Sequence, residues 1–171
     1  MPRLSRWLRS LKSMSRSGKI KKHSIEVDPI YNNRLLARFI NRVMRDGKKS
    51  VAQHEVYKAM EIIKKQNKDP LEIFQAALLN ISPRMEVKSR RVGGASYQVP
   101  TEVRGERKIS LSIRWLIEAA RKRSNKEYHT FADKLSAELL DAYHNAGEAI
   151  RKRDLMHRMA EANKAFAHFR W

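Results

Sequence analysis

The segment Lys88-Ser89-Arg90-Arg91-Val92-Gly93-Gly94-Ala95-Ser96-Tyr97-Gln98-Val99-Pro100 joins clustered cations, an aromatic ring, a side-chain amide and a bare-backbone turn. Each part has a use on RNA: arginine pairs bidentately with phosphate, glycine lets a backbone approach closely, and tyrosine stacks on an unpaired base. The plainer reading is an exposed hairpin whose charged edges discourage aggregation. A second stretch, Gly47-Lys48-Lys49-Ser50, resembles the end of a phosphate-binding loop. Arg42 stands where the upstream glycine is required, however, and the loop follows a helix instead of a strand, so a nucleotide site is rejected. What survives is two lysines and a turn at the start of a helix, where a phosphate oxygen can sit, or else a solvated loop.

Other chemistries find little to work with. The six histidines include no HxxxH or HExxH spacing, and only His157 with Glu161 shares a helix face at ligand distance; two ligands do not make a zinc site. No metal and no cofactor are expected. Every acidic residue can be read as a helix cap or as a neighbour of Lys or Arg, so no catalytic pair emerges and the chain reads as a non-enzyme.

The charge balance points the same way as the hairpin. Lysine and arginine number 37 against 18 acids, a formal charge of +19 that repels itself unless a polyanion lies nearby. An anionic membrane surface is the competing partner, but no run approaches the roughly 18 consecutive apolar residues of a spanning helix, and no membrane partner is expected. Cysteine is absent, which removes disulfides and thiolate chemistry and fits a reducing compartment. With 171 residues the chain can bury one core but not two comfortable ones.

Positioning elements follow from periodicity. Residues 1–27 form a basic arm carrying Arg3, Arg6, Arg9, Lys12, Arg16, Lys19, Lys21 and Lys22, with no acid among residues 1–25. Such a segment cannot fold alone, although Leu4, Trp7, Leu8, Leu11 and Met14 would make an amphipathic stripe on a partner. An RNA-binding tail, a cleaved organellar presequence and a membrane-surface helix all share this composition; the tail, uncleaved, is the preferred expectation. A single helical domain is expected over 28–171. Asp28-Pro29 predicts a helix start, Leu35, Leu36, Phe39, Ile40, Val43 and Met44 its apolar face, and Gly47 its stop. A second helix is predicted over roughly 50–66, and a third from Asp69-Pro70 to Ser82.

From about 85 to 103 the period becomes two, which predicts a hairpin. A three-residue loop of Gly93, Gly94 and Ala95 would place Met85, Val87, Tyr97, Val99 and Val103 on one face and Glu86, Lys88, Arg90 and Gln98 on the other. The ribbon is expected to project and to be steadied by what it binds. Helical period returns at about Ser110 and closes on Arg121-Lys122-Arg123. Thr130 with Asp133 suggests a capping box for a helix stopped by Gly147, and a last helix is predicted to run toward Ala167.

That hairpin segment, extended through Met85-Glu86-Val87 and Glu102-Val103, resembles the signature of the bacterial-type small-subunit ribosomal protein seven family. So do Met44-Arg45-Asp46-Gly47-Lys48-Lys49-Ser50, Arg114-Trp115-Leu116-Ile117-Glu118-Ala119-Ala120-Arg121-Lys122-Arg123, and the run from Met156-His157-Arg158-Met159-Ala160-Glu161 to Phe169-Arg170-Trp171. The resemblance implies a mainly α fold of six helices in a bundle-like domain with a projecting two-stranded β-hairpin. It implies binding to the 3′ major domain of small-subunit rRNA and early action in head assembly. Exit-site tRNA, the mRNA exit channel and small-subunit ribosomal proteins nine and eleven are the implied neighbours, in cytoplasmic bacterial-type ribosomes or, were the arm a transit peptide, those of a mitochondrion or plastid. The arm and the link from Ser124 to Thr130 are longer than the family's usual pattern.

On this reading the rRNA-binding set is the arm cations with Lys48, Lys49, Lys88, Arg114, Arg121, Lys122 and Arg123. The hairpin tip of Arg90, Arg91, Gly93, Gly94, Tyr97 and Gln98 lies toward tRNA and mRNA, and His157, Arg158, Lys164, His168 and Arg170 supply RNA or protein contacts. A sequence-specific DNA binder would need a recognition helix presenting Arg, Asn or Gln, whereas the helix around Trp115 interleaves its cations with core residues. An RNA-modifying enzyme would need a nucleotide fingerprint, a metal cluster or a nucleophile with its base.

Overall fold

Asp28 opens the chain path without beginning a helix. The computed structural model describes residues 25–66 and 69–169. In it the Asp28 carboxylate accepts from the N–H groups of Ile30 and Tyr31 at 3.3 and 3.0 Å, closing a single turn, and from the Tyr57 hydroxyl at 2.6 Å. Burial, helped by this bond to Asp28, pushes the Tyr57 hydroxyl up to about 12. The expected start is thereby corrected: Asn32 turns left-handed at φ 47°, and Asn33 caps helix α1 (Arg34–Val43) by accepting from Leu35 and Leu36. Gly47 is not the stop of α1 either. Met44 leaves the helix with ψ 137°, and Asp46 and Gly47, at φ 52° and 73°, turn the loop that follows.

Helix α2 (Lys49–Lys64) buries Ala52, Val56, Met60 and Ile63, the stripe its periodicity predicts, and Ala59 beside them. Helix α3 (Pro70–Ile81) starts as read, with Asp69 accepting from the Leu71 N–H at 2.9 Å. Strands β1 (Met85–Val92) and β2 (Ala95–Glu102) then pair antiparallel. Their loop has two residues, not three: Val92 pairs with Ala95, and Gly93 and Gly94, at φ 58° and 91°, make the turn whose twist suits a hairpin. Glu86, Lys88 and Arg90 therefore share a face with Tyr97 and Val99. The mixing of charged and apolar residues is tolerated because Lys88 at 3.0 Å and Arg107 at 3.3 Å meet the buried Glu86 carboxylate.

Helix α4 (Gly105–Lys122) begins earlier than Ser110, in a turn with no apolar side chain and no capping side chain to announce it. Helix α5 (Phe131–Tyr143) carries the full capping box: Thr130 Oγ1 accepts from the Asp133 N–H and Asp133 accepts from the Thr130 N–H, each at 3.2 Å. Donation from the Thr130 hydroxyl at 2.6 Å, and then from the Thr130 N–H, holds the Asp133 carboxyl below its ordinary range. Asn145, at φ 57°, ends α5, with the Ala146 N–H donating to Asp141 O at 2.8 Å. Gly147 instead stands before helix α6 (Glu148–Ala162) at φ 90°, where an added Cβ would lie 2.9 Å from Glu138 Oε1. The last helix does not continue to Ala167. Asn163 breaks it, its side-chain amide donating to Met159 O at 2.8 Å, and Lys164–Phe169 follows as a 3-10 segment.

The described residues are thus mainly helical. Helix α5 is central, packing on α2, α3 and α4, with Leu135, Leu139, Phe39, Phe74 and Leu116 among the fully buried side chains. Glu138 of α5 is 1% exposed. Its carboxylate accepts from Arg123 at the end of α4 and from the Ala149 N–H in the first turn of α6, at 2.7 and 3.0 Å.

Replacing Arg123 with alanine leaves that carboxylate buried without its cation, a change that typically costs roughly 3–5 kcal/mol. Arg123→Ala should lower the midpoint of urea unfolding accordingly, while its exposed neighbour Lys122→Ala should shift stability by no more than about 0.5 kcal/mol. Equal effects of the two would show that Glu138 does not depend on Arg123.

Candidate nucleic-acid interface

The loop between α1 and α2 is built to leave cations unbalanced. The Lys48 N–H donates to Arg45 O at 3.0 Å and the Lys49 N–H to Gly47 O at 2.9 Å, so the chain folds back tightly before α2 begins. Lys48, which precedes the first turn of α2, contributes no side-chain cap, and both lysines are exposed beside the positive end of the helix. From α4, Arg121 reaches the same place by donating to Val43 O at 3.1 Å, which also satisfies the end of α1. Burial and the neighbouring Arg45 both push Arg121 below its ordinary range, with Glu118 opposing them. A groove beside it is lined by Arg42, Arg114 and Arg121, with Glu118 the acid among them. The structure therefore places Arg121 between two clefts, one shared with Lys48 and Arg45 and the other with Arg114 and Arg42, while Lys49 lines a separate cleft with Glu26 and Asp28. It adds Arg42 and Arg45, which were missed; their position on either side of the α1 terminus was the available signal.

Other nominated cations have internal work. Arg123, with its side chain 17% exposed, is enclosed by Glu138, Asp141 and the Tyr128 ring, 5.4 Å from its guanidinium carbon. Burial opposes its charge, but the bonds to Asp141 and Glu138 outweigh that and hold Arg123 above the ordinary range. It is withdrawn from the interface. Lys88 is paired with Glu86, and Lys122 remains exposed.

At the hairpin tip, Arg91, Gly93, Gly94 and Gln98 are exposed, and Arg90 is half-buried. Tyr97 is not a free stacking surface, because its ring centroid lies 5.2 Å from those of both Phe166 and Phe169. The ribbon is accordingly held by α6 and the 3-10 segment of its own chain, which corrects the expectation of a ribbon steadied by its partner alone. His157 serves the same junction: its Nε2 accepts from the Arg84 N–H at 3.0 Å, and burial together with Arg153 lowers its proton affinity. His168 lies against Phe169 and bonds within its own turn to Ala165 O, while Arg158 and Lys164 are exposed. Arg170 and the arm cations Arg3 to Lys22 lie outside the described residues. Among the described residues no cluster of His, Asp or Glu could hold a metal ion, and no helix is long and apolar enough to cross a membrane.

Comparison with known proteins gives a consistent match. The family model described as Ribosomal protein S7p/S5e matches residues 15–164. The small ribosomal subunit protein uS7 of Caldicellulosiruptor bescii is 55% identical over 159 residues, which is 92% of this chain and all of that protein. The proteins of the same name from Solidesulfovibrio magneticus and a Sulfurihydrogenibium species are 55% and 56% identical, again over 92% of this chain and the whole of theirs.

The His157 contact gives a pH dependence with a definite sign. Folding lowers the ring's proton affinity from its ordinary value of 6.5, so the unfolded chain binds more protons and stability rises with pH. The contribution should be complete above pH 6.5 and should fade as pH falls below it through the folded-state value. Urea unfolding of the wild type and His157→Ala at pH 7.5 and 5 measures this. The difference between them should shrink at the lower pH, and a constant difference would mean that the ring does not act through its neutral form.

Proposed function

Because the chain belongs to the ribosomal protein S7p/S5e family and is a structural protein of the small ribosomal subunit, not an enzyme, we propose that it binds the 3′ major domain of small-subunit rRNA and helps to assemble the head. The observation that carries this is the convergence of Arg42, Arg45, Lys48, Arg114 and Arg121 around the end of α1 and the start of α2. Phosphate oxygens fit there for two reasons. Guanidinium and ammonium groups neutralise them directly, and the uncapped first turn of α2 offers N–H donors and a positive dipole end. Such contacts fix position and orientation on a folded RNA without reading its sequence. Rigidity comes from the anchoring bond of Arg121 to Val43 O, which ties α4 to α1 and spaces the cations before RNA arrives.

The hairpin supports a second part of the reading. Its tip combines exposed Arg91 with a Gly93-Gly94 turn that lets backbone approach a ligand closely, which suits contact with exit-site tRNA and outgoing mRNA. Tyr97 serves as an anchor at the base of this tip. The outward face of α6, with Leu155 and Met159 exposed, favours protein neighbours, and ribosomal proteins nine and eleven are proposed there. Bacterial relatives support a cytoplasmic ribosome as the setting.

Binding to a transcript of the 3′ major domain should weaken steeply with salt, each phosphate contact adding roughly 0.7–0.9 to the slope of log K against log salt. Lys48→Ala with Lys49→Ala should flatten that slope by about one to two contacts' worth; an unchanged slope would leave the loop solvated and remove it from the interface. Replacing 91–96 with a Gly-Ser turn, sparing Tyr97, should give subunits that assemble but release deacylated tRNA faster. Blocked assembly would make the tip an rRNA anchor instead.

A further inference from the structure

Beside the cation cluster lies a cleft of about 280 Å³ whose surface is not what a phosphate site requires. Val43 and Ala52 are buried at its back, Phe131 forms part of the wall, and Val51 is 56% exposed within it. Arg45, Lys48 and Arg121 stand around these apolar groups, together with the carboxylates of Asp46 and Glu55. We propose that this cleft takes one unpaired nucleotide of the rRNA, its base against Val51 and Phe131 and its flanking phosphates on Arg45, Lys48 and Arg121.

Size, polarity and charge each narrow the occupant. Small-molecule pockets begin at about 300 Å³, so this one suits a single flat ring system and not a folded segment of protein. The apolar wall would gain nothing from a bare phosphate, and the cations would gain nothing from an apolar side chain; a nucleotide supplies a ring and an anion together. The carboxylates fit a base as well. Glu55 already accepts from the Ala132 N–H at 3.0 Å, which fixes its position, and carboxylate oxygens accept from the amino and imino groups of bases. Crowding of Arg121 by Arg45 points to a site that an anion would relieve. Unpaired bases splayed from RNA and held on aromatic, apolar or guanidinium surfaces are a common mode of recognition.

The inference rests on the proposed rRNA binding, and the test separates the two. Val51→Trp fills the cleft without removing a cation, and Val51→Thr, similar in volume, serves as the control; circular dichroism and thermal melting confirm folding. Against a transcript of the 3′ major domain, Val51→Trp should lose roughly 5- to 150-fold in affinity, the range expected for one docked base, with the salt slope falling by no more than the share of the displaced nucleotide's flanking phosphates. Base-specific chemical probing should show one unpaired nucleotide protected by the wild-type chain and exposed with Val51→Trp. Making that nucleotide abasic should lower wild-type affinity, an outcome that does not depend on how the variant folds, and should abolish the difference between the two proteins. Wild-type affinity and protection with Val51→Trp, or no sensitive abasic position with the wild-type protein, would overturn the proposal while leaving rRNA binding intact. Loss of a protein neighbour from reconstituted subunits with RNA binding unchanged would give the cleft to a protein. Failure of the wild-type chain to bind the transcript would sink the rRNA reading and this one with it.

Discussion

A carboxylate taken out of water costs several kcal/mol unless a cation and hydrogen-bond donors replace its hydration. Glu138 meets that condition by drawing three elements to one point: its own helix α5, Arg123 at the end of α4, and the Ala149 N–H in the first turn of α6. It caps a helix that has no capping side chain of its own, since Gly147 stands at that position and a Cβ there would collide with Glu138 Oε1. Both candidate regions inherit their placement from this point. Arg121 lies on α4 just before Arg123, and its reach to Val43 sets the basic loop. Helix α6 carries His157 to Arg84 and leads to the Phe166 and Phe169 rings that hold Tyr97.

The same device recurs through the fold. Glu55 of α2 accepts from the Ala132 N–H in the first turn of α5, Asn80 of α3 donates to the carbonyls of Ala142 and Tyr143 at its end, and Arg153 of α6 donates to Asn80 O. Helix ends with orphan groups are thus satisfied by polar side chains from other helices, which ties packing angles to hydrogen bonding. This has an electrostatic consequence. Acids such as Asp28, Glu55, Glu86, Asp133 and Glu138 are committed to internal bonds. The formal charge of +19 already counts every acid, so the folded chain is left with a self-repulsion that a polyanion relieves.

Features whose cause is local were legible in the sequence. Asp69-Pro70 and Thr130 with Asp133 are cap signals acting over two or three residues, and the stripe of α2 follows from helical period alone. Features set by distant partners were not. Asp28 reads as a helix cap until Tyr57 is placed against it, and the hairpin register came out wrong because segregation of charged from apolar faces assumes that no charge is buried. Glu86 breaks that assumption through Arg107, which lies on α4. Tyr97 reads as a stacking surface until the break at Asn163 turns Phe166 and Phe169 back onto it. The cleft at Val51 had no signal, since one valine in an amphipathic helix is unremarkable until its neighbours from α1 and α5 are known.

Arg121 and Arg123 show why counting cations cannot define a nucleic-acid surface. Both close the same helix, both are arginines, and a charge map of the sequence treats them alike. Successive residues on a helix are rotated by about 100°, so two positions apart they face nearly opposite ways. Arg123 meets Glu138 and Asp141 of α5 and is neutralised; Arg121 meets the carbonyl end of α1 beside Arg45. A backbone carbonyl orients a guanidinium without cancelling its charge, whereas a pair of carboxylates cancels it. The cations left available to an anionic partner are therefore those that the fold holds by carbonyls or leaves in solvent, and the placement of acids such as Glu86, Glu138 and Asp141 determines which are withdrawn.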